Sequence, residues 1–145
     1  MKTGKVYLTG GGCGDPGLLT VKAAQKLSRC DVLVYDALVS PELLESTRED
    51  CERIYVGKRA ANHALPQDEI NALLVRLGRA GKTVVRLKGG DPYVFGRGGE
   101  EGEALHDAGI PFEVIPGITS VIGGLAYAGI PITHRDCVSS FQVVT

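Results

Sequence analysis

The chain has 145 residues, a formal net charge of −1 and 43% hydrophobic residues, a composition typical of one soluble globular domain with a sizeable core. The near-neutral charge provides no broad basic surface, which speaks against nucleic acid or a membrane surface as a partner. No apolar run reaches the roughly 20 residues of a membrane span, and no signal peptide is visible at the N-terminus. The four cysteines lack the spacing of a zinc site or a disulfide framework, so we expect no metal and a cytoplasmic location.

Short apolar runs alternate with helical patterns along the chain. Five runs predict strands, at 5–9, 31–36, 53–57, 83–87 and 112–115. The intervening patterns predict helices at 18–29, 41–49, 66–81, 99–108 and 118–128. This alternation predicts an α/β/α sandwich with a five-stranded, mainly parallel sheet. A last apolar segment, 139–145, predicts a further strand, either at an edge of the same sheet or at the start of a second α/β domain.

The loops that follow the predicted strands carry the candidate functional residues. In parallel α/β sheets, ligands bind outside the carboxyl ends of the strands. Five loops meet that rule, namely 10–17, the loop that begins at Asp36, 57–63, 88–99 and 116–120. We therefore expect one site on this edge of the sheet.

The first loop admits two interpretations. Its glycines, Gly12, Gly14 and Gly17, form the G-x-G-x-x-G pattern of dinucleotide-binding folds, and Asp36 follows at the distance of a ribose-binding acid. This favours an NAD-dependent oxidoreductase. Asp15 argues against it, because a carboxylate in the loop would repel a pyrophosphate by roughly 1 to 4 kcal/mol. Alternatively, Asp15 caps the following helix.

The fourth loop repeats the first. Gly14-Asp15-Pro16 is matched by Gly90-Asp91-Pro92, and both triplets lie between a predicted strand and a predicted helix. Two glycine loops with carboxylates suit a neutral or cationic ligand that needs close backbone contact. A sulfonium nucleoside such as S-adenosylmethionine has this chemistry.

Charged residues near the same edge indicate further chemistry. Asp36 and Lys58 follow consecutive strands, so adjacent strands would place a carboxylate and an amine side by side, where they could move protons. A plain salt bridge is the other interpretation. Five cationic residues could line an anion-binding cleft, namely Arg59, Arg86, Lys88, Arg97 and Arg135.

Taken together, these loops resemble those of the tetrapyrrole methylase family. The resemblance covers essentially the whole chain, and its most specific stretch is VRLKGGDPYVFGRGGEE at 85–101. Other matching stretches are VYLTGGGCGDPGLLTVKA, VYDALVS, VGKRA and VIPGITS. The resemblance implies transfer of methyl groups from S-adenosylmethionine to C2 and C7 of uroporphyrinogen III, which gives precorrin-2 for sirohaem and cobalamin.

The resemblance also implies roles for particular residues. Asp36 would be the proton acceptor and Lys58 the proton donor. The implied cofactor contacts are Cys13, Gly89, Gly90, Asp91, Val94, Thr119 and Ser120. Two positions depart from the family pattern, because Cys13 stands where a proline is usual and Ala37 replaces an arginine of many relatives.

The resemblance finally implies a two-domain organisation. Residues 1–131 would form the first domain, and 132–145 would be the linker and first strand of a second one. The cofactor would lie between the two domains, and the whole protein would be a homodimer. The chain alone could then be a ligand-binding fragment without activity.

Overall fold

The computed structural model describes residues 2–58, 60 and 63–145. Its strands are β1 Lys5–Gly10, β2 Val32–Tyr35, β3 Glu52–Tyr55, β4 Thr83–Lys88 and β5 Phe112–Ile115. Its α-helices are α1 Val21–Leu27, α2 Gln67–Arg79, α3 Gly98–Asp107 and α4 Ser120–Tyr127. Two short 3₁₀ segments complete the described elements, Pro16–Leu18 and Pro41–Ser46.

The five strands form one sheet in the order β3-β2-β4-β1-β5, and every pairing is parallel. The α/β prediction is therefore confirmed, and the sheet is wholly rather than mainly parallel. Chain order and sheet order differ, because β4 lies between β1 and β2. This reversal brings the loops after β1, β2 and β4 together at the carboxyl edge.

Apolar layers cover both faces of the sheet. One core layer packs α2 and α3 on the sheet through residues such as Leu74, Val84 and Leu105. The other packs α1 and the 3₁₀ helix Pro41–Ser46 on the opposite face through Leu27 and Leu43. Strands buried on both faces are mostly apolar, which explains their runs of valine and leucine; Thr9 on β1 and Arg86 and Lys88 on β4 are buried exceptions.

Three predicted elements differ in the structure. The predicted helix 41–49 is the 3₁₀ segment Pro41–Ser46. The predicted helix 18–29 begins later, at Val21, because the Thr20 side chain caps it by accepting a hydrogen bond from the Ala23 N–H at 3.1 Å. The segment 139–145 is exposed and forms no strand in the described structure. A strand requires a neighbouring strand for its backbone hydrogen bonds, and none pairs with this segment among the described residues.

An ion-pair cluster on the outer sheet edge gives a pH-dependent contribution to stability. Glu113 on β5 accepts hydrogen bonds from Lys22 and from Lys5, the latter at 2.9 Å. The Lys22 and then the Lys5 hydrogen bond lower the pKa of Glu113 to about 2. A carboxylate whose pKa is lowered in the folded state stabilises the protein at pH values above its unfolded-state pKa. This contribution is lost as the pH falls through the folded-state pKa.

We therefore expect Glu113→Gln to lower the free energy of unfolding at pH 7 by roughly 0.5 to 1 kcal/mol, the range of a partly exposed pair. The difference from the wild type should shrink as the pH falls from about 4.5 towards 2. Urea unfolding at several pH values measures both. Glu103→Gln, an exposed glutamate on α3, is the matched control and should stay within about 0.5 kcal/mol of the wild type. A constant difference across this pH range would contradict the assignment.

None of the helices in the described part of the chain combines the length and the apolar character needed to cross a bilayer.

Candidate functional site

Two glycine loops and the β5 loop touch at the carboxyl edge of the sheet. Gly12 and Gly90 exchange backbone hydrogen bonds of 3.2 and 2.7 Å. A Cβ atom at Gly10 would lie 2.5 Å from the Gly90 carbonyl oxygen and 2.6 Å from the Gly117 nitrogen. Only glycine allows this approach, so the repeated glycines of the sequence join three loops into one surface.

A cleft of about 370 Å³ opens above this glycine junction, and we call it the glycine cleft. It contains all seven residues predicted as cofactor contacts. Its lining comprises Gly12, Cys13, Gly14, Leu38, Gly89, Gly90, Asp91, Val94, Phe95, Thr119, Ser120 and Val121. Residues from four loops thus line one cleft.

Asp91 holds the loops of the glycine cleft together. Its Oδ1 accepts the Tyr93 N–H at 2.8 Å, within its own loop. Its Oδ2 accepts the Gly117 N–H at 3.0 Å, in the loop after β5. Each carboxylate oxygen is therefore occupied by a backbone donor, and the side chain fixes the position of the cleft wall.

Asp15, the other acid of the glycine loops, lies outside the lining of the glycine cleft. It accepts the Gly17 N–H at 2.7 Å and so caps the 3₁₀ segment Pro16–Leu18, whereas Thr20 caps the helix α1 that follows. Its second oxygen accepts the Tyr127 hydroxyl of α4 at 2.6 Å. The Tyr127 and then the Gly17 hydrogen bond lower the pKa of Asp15. The Asp15 carboxylate thus takes up the Gly17 N–H, a backbone donor that a pyrophosphate on this loop would need. This disfavours the dinucleotide interpretation.

Cys13 packs against α4. A side chain at Gly123 would collide with the Cys13 sulfur, so the thiol fills the space left by that glycine. Cys13 is thus accommodated by packing against α4, while it still borders the glycine cleft.

A second cleft, of about 290 Å³, adjoins the first, and we call it the Asp36 cleft. Leu38, Gly89 and Phe95 line both clefts. The Leu38 and Phe95 side chains are large and apolar, yet they are 79% and 64% exposed. Phe95 and Arg97 also adopt positive φ angles of 49° and 55°. Such conformations are uncommon outside glycine and concentrate at functional sites.

Asp36 and Lys58 have different interaction partners, although they follow the adjacent strands β2 and β3. The Asp36 carboxylate accepts the Leu38 N–H at 3.0 Å and lies 3.7 Å from Arg86 Nη1. Lys58 is exposed, is not among the described residues that line either cleft, and accepts the Tyr55 hydroxyl through its carbonyl at 2.9 Å. The Asp36 ion pair in the described structure is therefore with Arg86 rather than with Lys58.

A buried charged cluster, the Glu101 cluster, lies behind the Asp36 cleft. The Glu101 Oε1 atom accepts hydrogen bonds from Arg86 Nε at 3.1 Å, Lys88 Nζ at 2.9 Å and Gln67 Nε2 at 3.3 Å. The Glu101 side chain is fully buried, and those of Arg86 and Lys88 are only 3% and 6% exposed. The sequence indicated both cations as cleft residues but did not indicate their buried partner.

Only some of the five cationic residues predicted to line an anion-binding cleft are placed to contact an anion. Arg86, Lys88 and Arg97 do line the Asp36 cleft. Arg97, however, donates two hydrogen bonds of 3.0 and 2.9 Å to Glu100. Arg135 lies in the exposed segment after α4, and Arg59 lies outside the described residues.

A parallel α/β fold with a glycine-lined cleft at the carboxyl edge defines a domain that binds a small ligand through its loops. The chain belongs to the tetrapyrrole methylase family, since the family model for Tetrapyrrole (Corrin/Porphyrin) Methylases matches residues 5–142.

Individual relatives agree with this assignment. The siroheme synthase of Pseudomonas entomophila is 61% identical over 142 residues, which are 98% of this chain and 31% of that protein. The crystal structure of uroporphyrin-III-C-methyltransferase from Thermus thermophilus has 50% identity and a TM-score of 0.79, and it covers 91% of this chain and 55% of that one. A structure of the Thermus enzyme complexed with S-adenosyl homocysteine has 49% identity and a TM-score of 0.74, with 91% and 51% covered. The chain thus spans about a third of the curated relatives and about half of these solved structures.

Proposed function

We propose that this chain is the cofactor-binding domain of an S-adenosylmethionine-dependent methyltransferase. Its substrate would be uroporphyrinogen III, methylated at C2 and C7 to give precorrin-2. The observation that carries the proposal is the convergence of Cys13, Asp91, Thr119 and the other predicted contacts on one cleft. The complex of a similar structure with S-adenosyl homocysteine supports the same ligand class.

The glycine cleft fits a sulfonium nucleoside better than a phosphate ligand. Its floor is backbone, because Gly89 and Gly90 carry no side chain, and Val94 adds an apolar wall. Asp91 adds a negative charge, which favours a cation over an anion. Residues 89–91, Val94 and 119–120 would hold the ligand, together with the backbone of Cys13.

The chemistry assigned to the chain itself is modest. When bound, S-adenosylmethionine supplies an activated methyl group. The two clefts meet at Leu38, Gly89 and Phe95, so they would align donor and acceptor while apolar side chains exclude water. Each transfer releases one proton from the tetrapyrrole, and Asp36 would accept it. The resemblance implies Lys58 as the proton donor, but the transfer as described consumes no proton, and Lys58 is exposed and outside the described lining of both clefts.

The remaining features concern the whole protein. We propose that residues 1–131 are the first domain and that 132–145 are the linker and first strand of a second one. The exposed apolar side chains of Ile130, Phe141 and Val144 support this, because such groups are usually covered in the assembled protein. We also propose that the whole protein is a homodimer and is located in the cytoplasm.

Calorimetric titration with S-adenosylhomocysteine and with NAD tests the ligand class. We expect binding of S-adenosylhomocysteine and none of NAD. Binding of NAD alone would end the methyltransferase proposal. Methyl transfer to uroporphyrinogen III, followed by mass spectrometry of the tetrapyrrole, tests the activity. The assay should compare this chain with the chain fused to a relative's second domain. Equal activity of both would refute the view that this chain is an inactive fragment.

A further inference from the structure

In the Glu101 cluster, the buried carboxylate of Glu101 binds two cations, Arg86 and Lys88, beside the Asp36 cleft. Burying a carboxylate is costly unless charges and hydrogen bonds compensate for it. Arg86, Lys88 and Gln67 all donate to the same oxygen, Oε1, whereas Oε2 has no hydrogen-bond partner among the described residues. Glu101 is thus an internal anchor for cationic groups and is too deeply buried to contact a substrate itself.

The two cations differ in how far their hydrogen-bond donors are used. Arg86 donates from Nε to Glu101, and its Nη1 lies 3.5 Å from the Leu87 carbonyl oxygen and 3.7 Å from Asp36. The Lys88 ammonium has three donors. Within the described residues, its one hydrogen-bond acceptor is Glu101. Lys88 therefore has donors left for a ligand in the cleft that it lines.

The sheet register places Lys88 beside Asp36, and in sequence it is next to a residue that both clefts share. Tyr35 on β2 pairs with Leu87 on β4, so the next residues along these two strands are Asp36 and Lys88. Lys88 also directly precedes Gly89, which lines both clefts. The charge of Asp36 is offset by Arg86, so it need not repel an anion that approaches the neighbouring ammonium.

We propose that Lys88 binds a carboxylate substituent of the tetrapyrrole and that Glu101 positions its ammonium for this contact. This inference rests on the proposed function and adds a specificity-determining residue to it. A charge-assisted hydrogen bond between ammonium and carboxylate requires the lysine in its protonated form. Substrate affinity should therefore depend on the ionisation of Lys88.

The surroundings of Lys88 make that dependence measurable. Burial, followed by the charge of Arg86, lowers the pKa of Lys88, whereas Glu101 and Asp36 act in the opposite direction. Elements near Lys88 carry further charged or titratable groups, which are Arg97 and Glu100 at the start of α3 and Tyr55 and Lys58 near the end of β3. Binding should weaken as the pH rises through the lowered pKa of Lys88.

Titration with uroporphyrin III, a fluorescent polycarboxylate tetrapyrrole, tests the contact. We expect Lys88→Met to weaken binding about 10- to 100-fold, the loss of one hydrogen bond to a charged group. The methyl ester of the porphyrin should bind both proteins equally. Lys82→Met is the matched control because Lys82 is exposed and immediately precedes β4, at its opposite end. Unchanged S-adenosylhomocysteine binding would show that Lys88→Met is folded.

The pH dependence of uroporphyrin affinity separates positioning from a merely structural role. Glu101→Gln removes a charge that raises the pKa of Lys88, so affinity should be lost at a lower pH than in the wild type. Arg86→Met removes a charge that lowers this pKa, so the loss should move to a higher pH. The wild-type protein alone must also lose affinity on the alkaline side, which requires no variant to fold.

The outcomes distinguish this inference from the proposed function. Wild-type protein that binds S-adenosylhomocysteine and uroporphyrin, with Lys88→Met binding the porphyrin equally well, would overturn the inference alone. Shifts of the same sign in Glu101→Gln and Arg86→Met would overturn the role of Glu101. Failure of the wild type to bind the porphyrin at all would overturn the proposed substrate and this inference with it.

Discussion

We expect Gly117→Ala to abolish measurable binding of S-adenosylhomocysteine and to destabilise the domain. A Cβ atom at this position would collide with the Gly90 carbonyl oxygen and lie 2.8 Å from the Gly10 Cα. Each of these neighbours is backbone and cannot rotate away. The loops after β1, β4 and β5 would have to separate, which removes the floor of the glycine cleft. A misplacement of about 1 Å can cost 100-fold in a site that depends on geometry.

Calorimetry should therefore show at least about 100-fold weaker binding, and urea unfolding should show a loss of about 1 to 3 kcal/mol from overpacking. Gly124→Ala is the matched control. Gly124 lies on α4 a few residues away, is exposed, and has open space around the position of a Cβ atom. This control should bind normally and gain up to about 1 kcal/mol from helix propensity. Normal binding by Gly117→Ala would mean that the glycine cleft is not the cofactor site.

Much of the fold was predictable because its signals are local. Helix α2 shows the apolar spacing of Ile70, Leu73, Leu74 and Leu77, and the structure places it at Gln67–Arg79, within the predicted 66–81. The β2 run is apolar throughout because both faces of the sheet are covered, whereas β4 combines its apolar run with the buried cations Arg86 and Lys88. Caps shifted the remaining boundaries. Thr20 caps α1 and so moves its start from the predicted residue 18 to Val21, while Asp15 caps the separate 3₁₀ segment Pro16–Leu18.

The strand order was not predictable from these local signals. Which strand pairs with which depends on long-range packing, and the position of β4 between β1 and β2 is a property of the assembled sheet. The same limitation explains the segment 139–145, whose apolar pattern predicts a strand although no neighbouring strand is available among the described residues. An apolar pattern reports a preference for burial, and pairing decides whether a strand forms.

The glycine cleft could be predicted, but the Glu101 cluster could not. The cleft residues lie in loops with an unusual composition, and a rule for parallel sheets places them together. Arg86 and Lys88 looked like solvent-facing cations of a cleft. A partial signal existed, because Glu101 lies four residues before Leu105 and so falls on the buried face of α3. An acid on that face required a buried cation, and β4 supplies two.

The second large effect is expected at Asp36. We expect Asp36→Asn to lower the turnover of methyl transfer by about 100- to 10,000-fold, the usual contribution of a positioned general base. The amide keeps the shape of the carboxylate, and it can still accept the Leu38 N–H. Binding of S-adenosylhomocysteine should remain within about twofold of the wild type, since Asp36 lines the adjacent cleft and not the glycine cleft. Steady-state kinetics and calorimetry provide the two measurements.

The split between turnover and cofactor binding is what identifies the role. If Asp36 only supported the fold, Asp36→Asn would lower turnover and cofactor binding together, because Arg86 would lose one of the two carboxylates that it contacts. Asp50→Asn is the control. Asp50 is exposed, lies just before β3 at the opposite end of the sheet, and should retain full turnover. If Asp36→Asn retains normal turnover, Asp36 is not the proton acceptor.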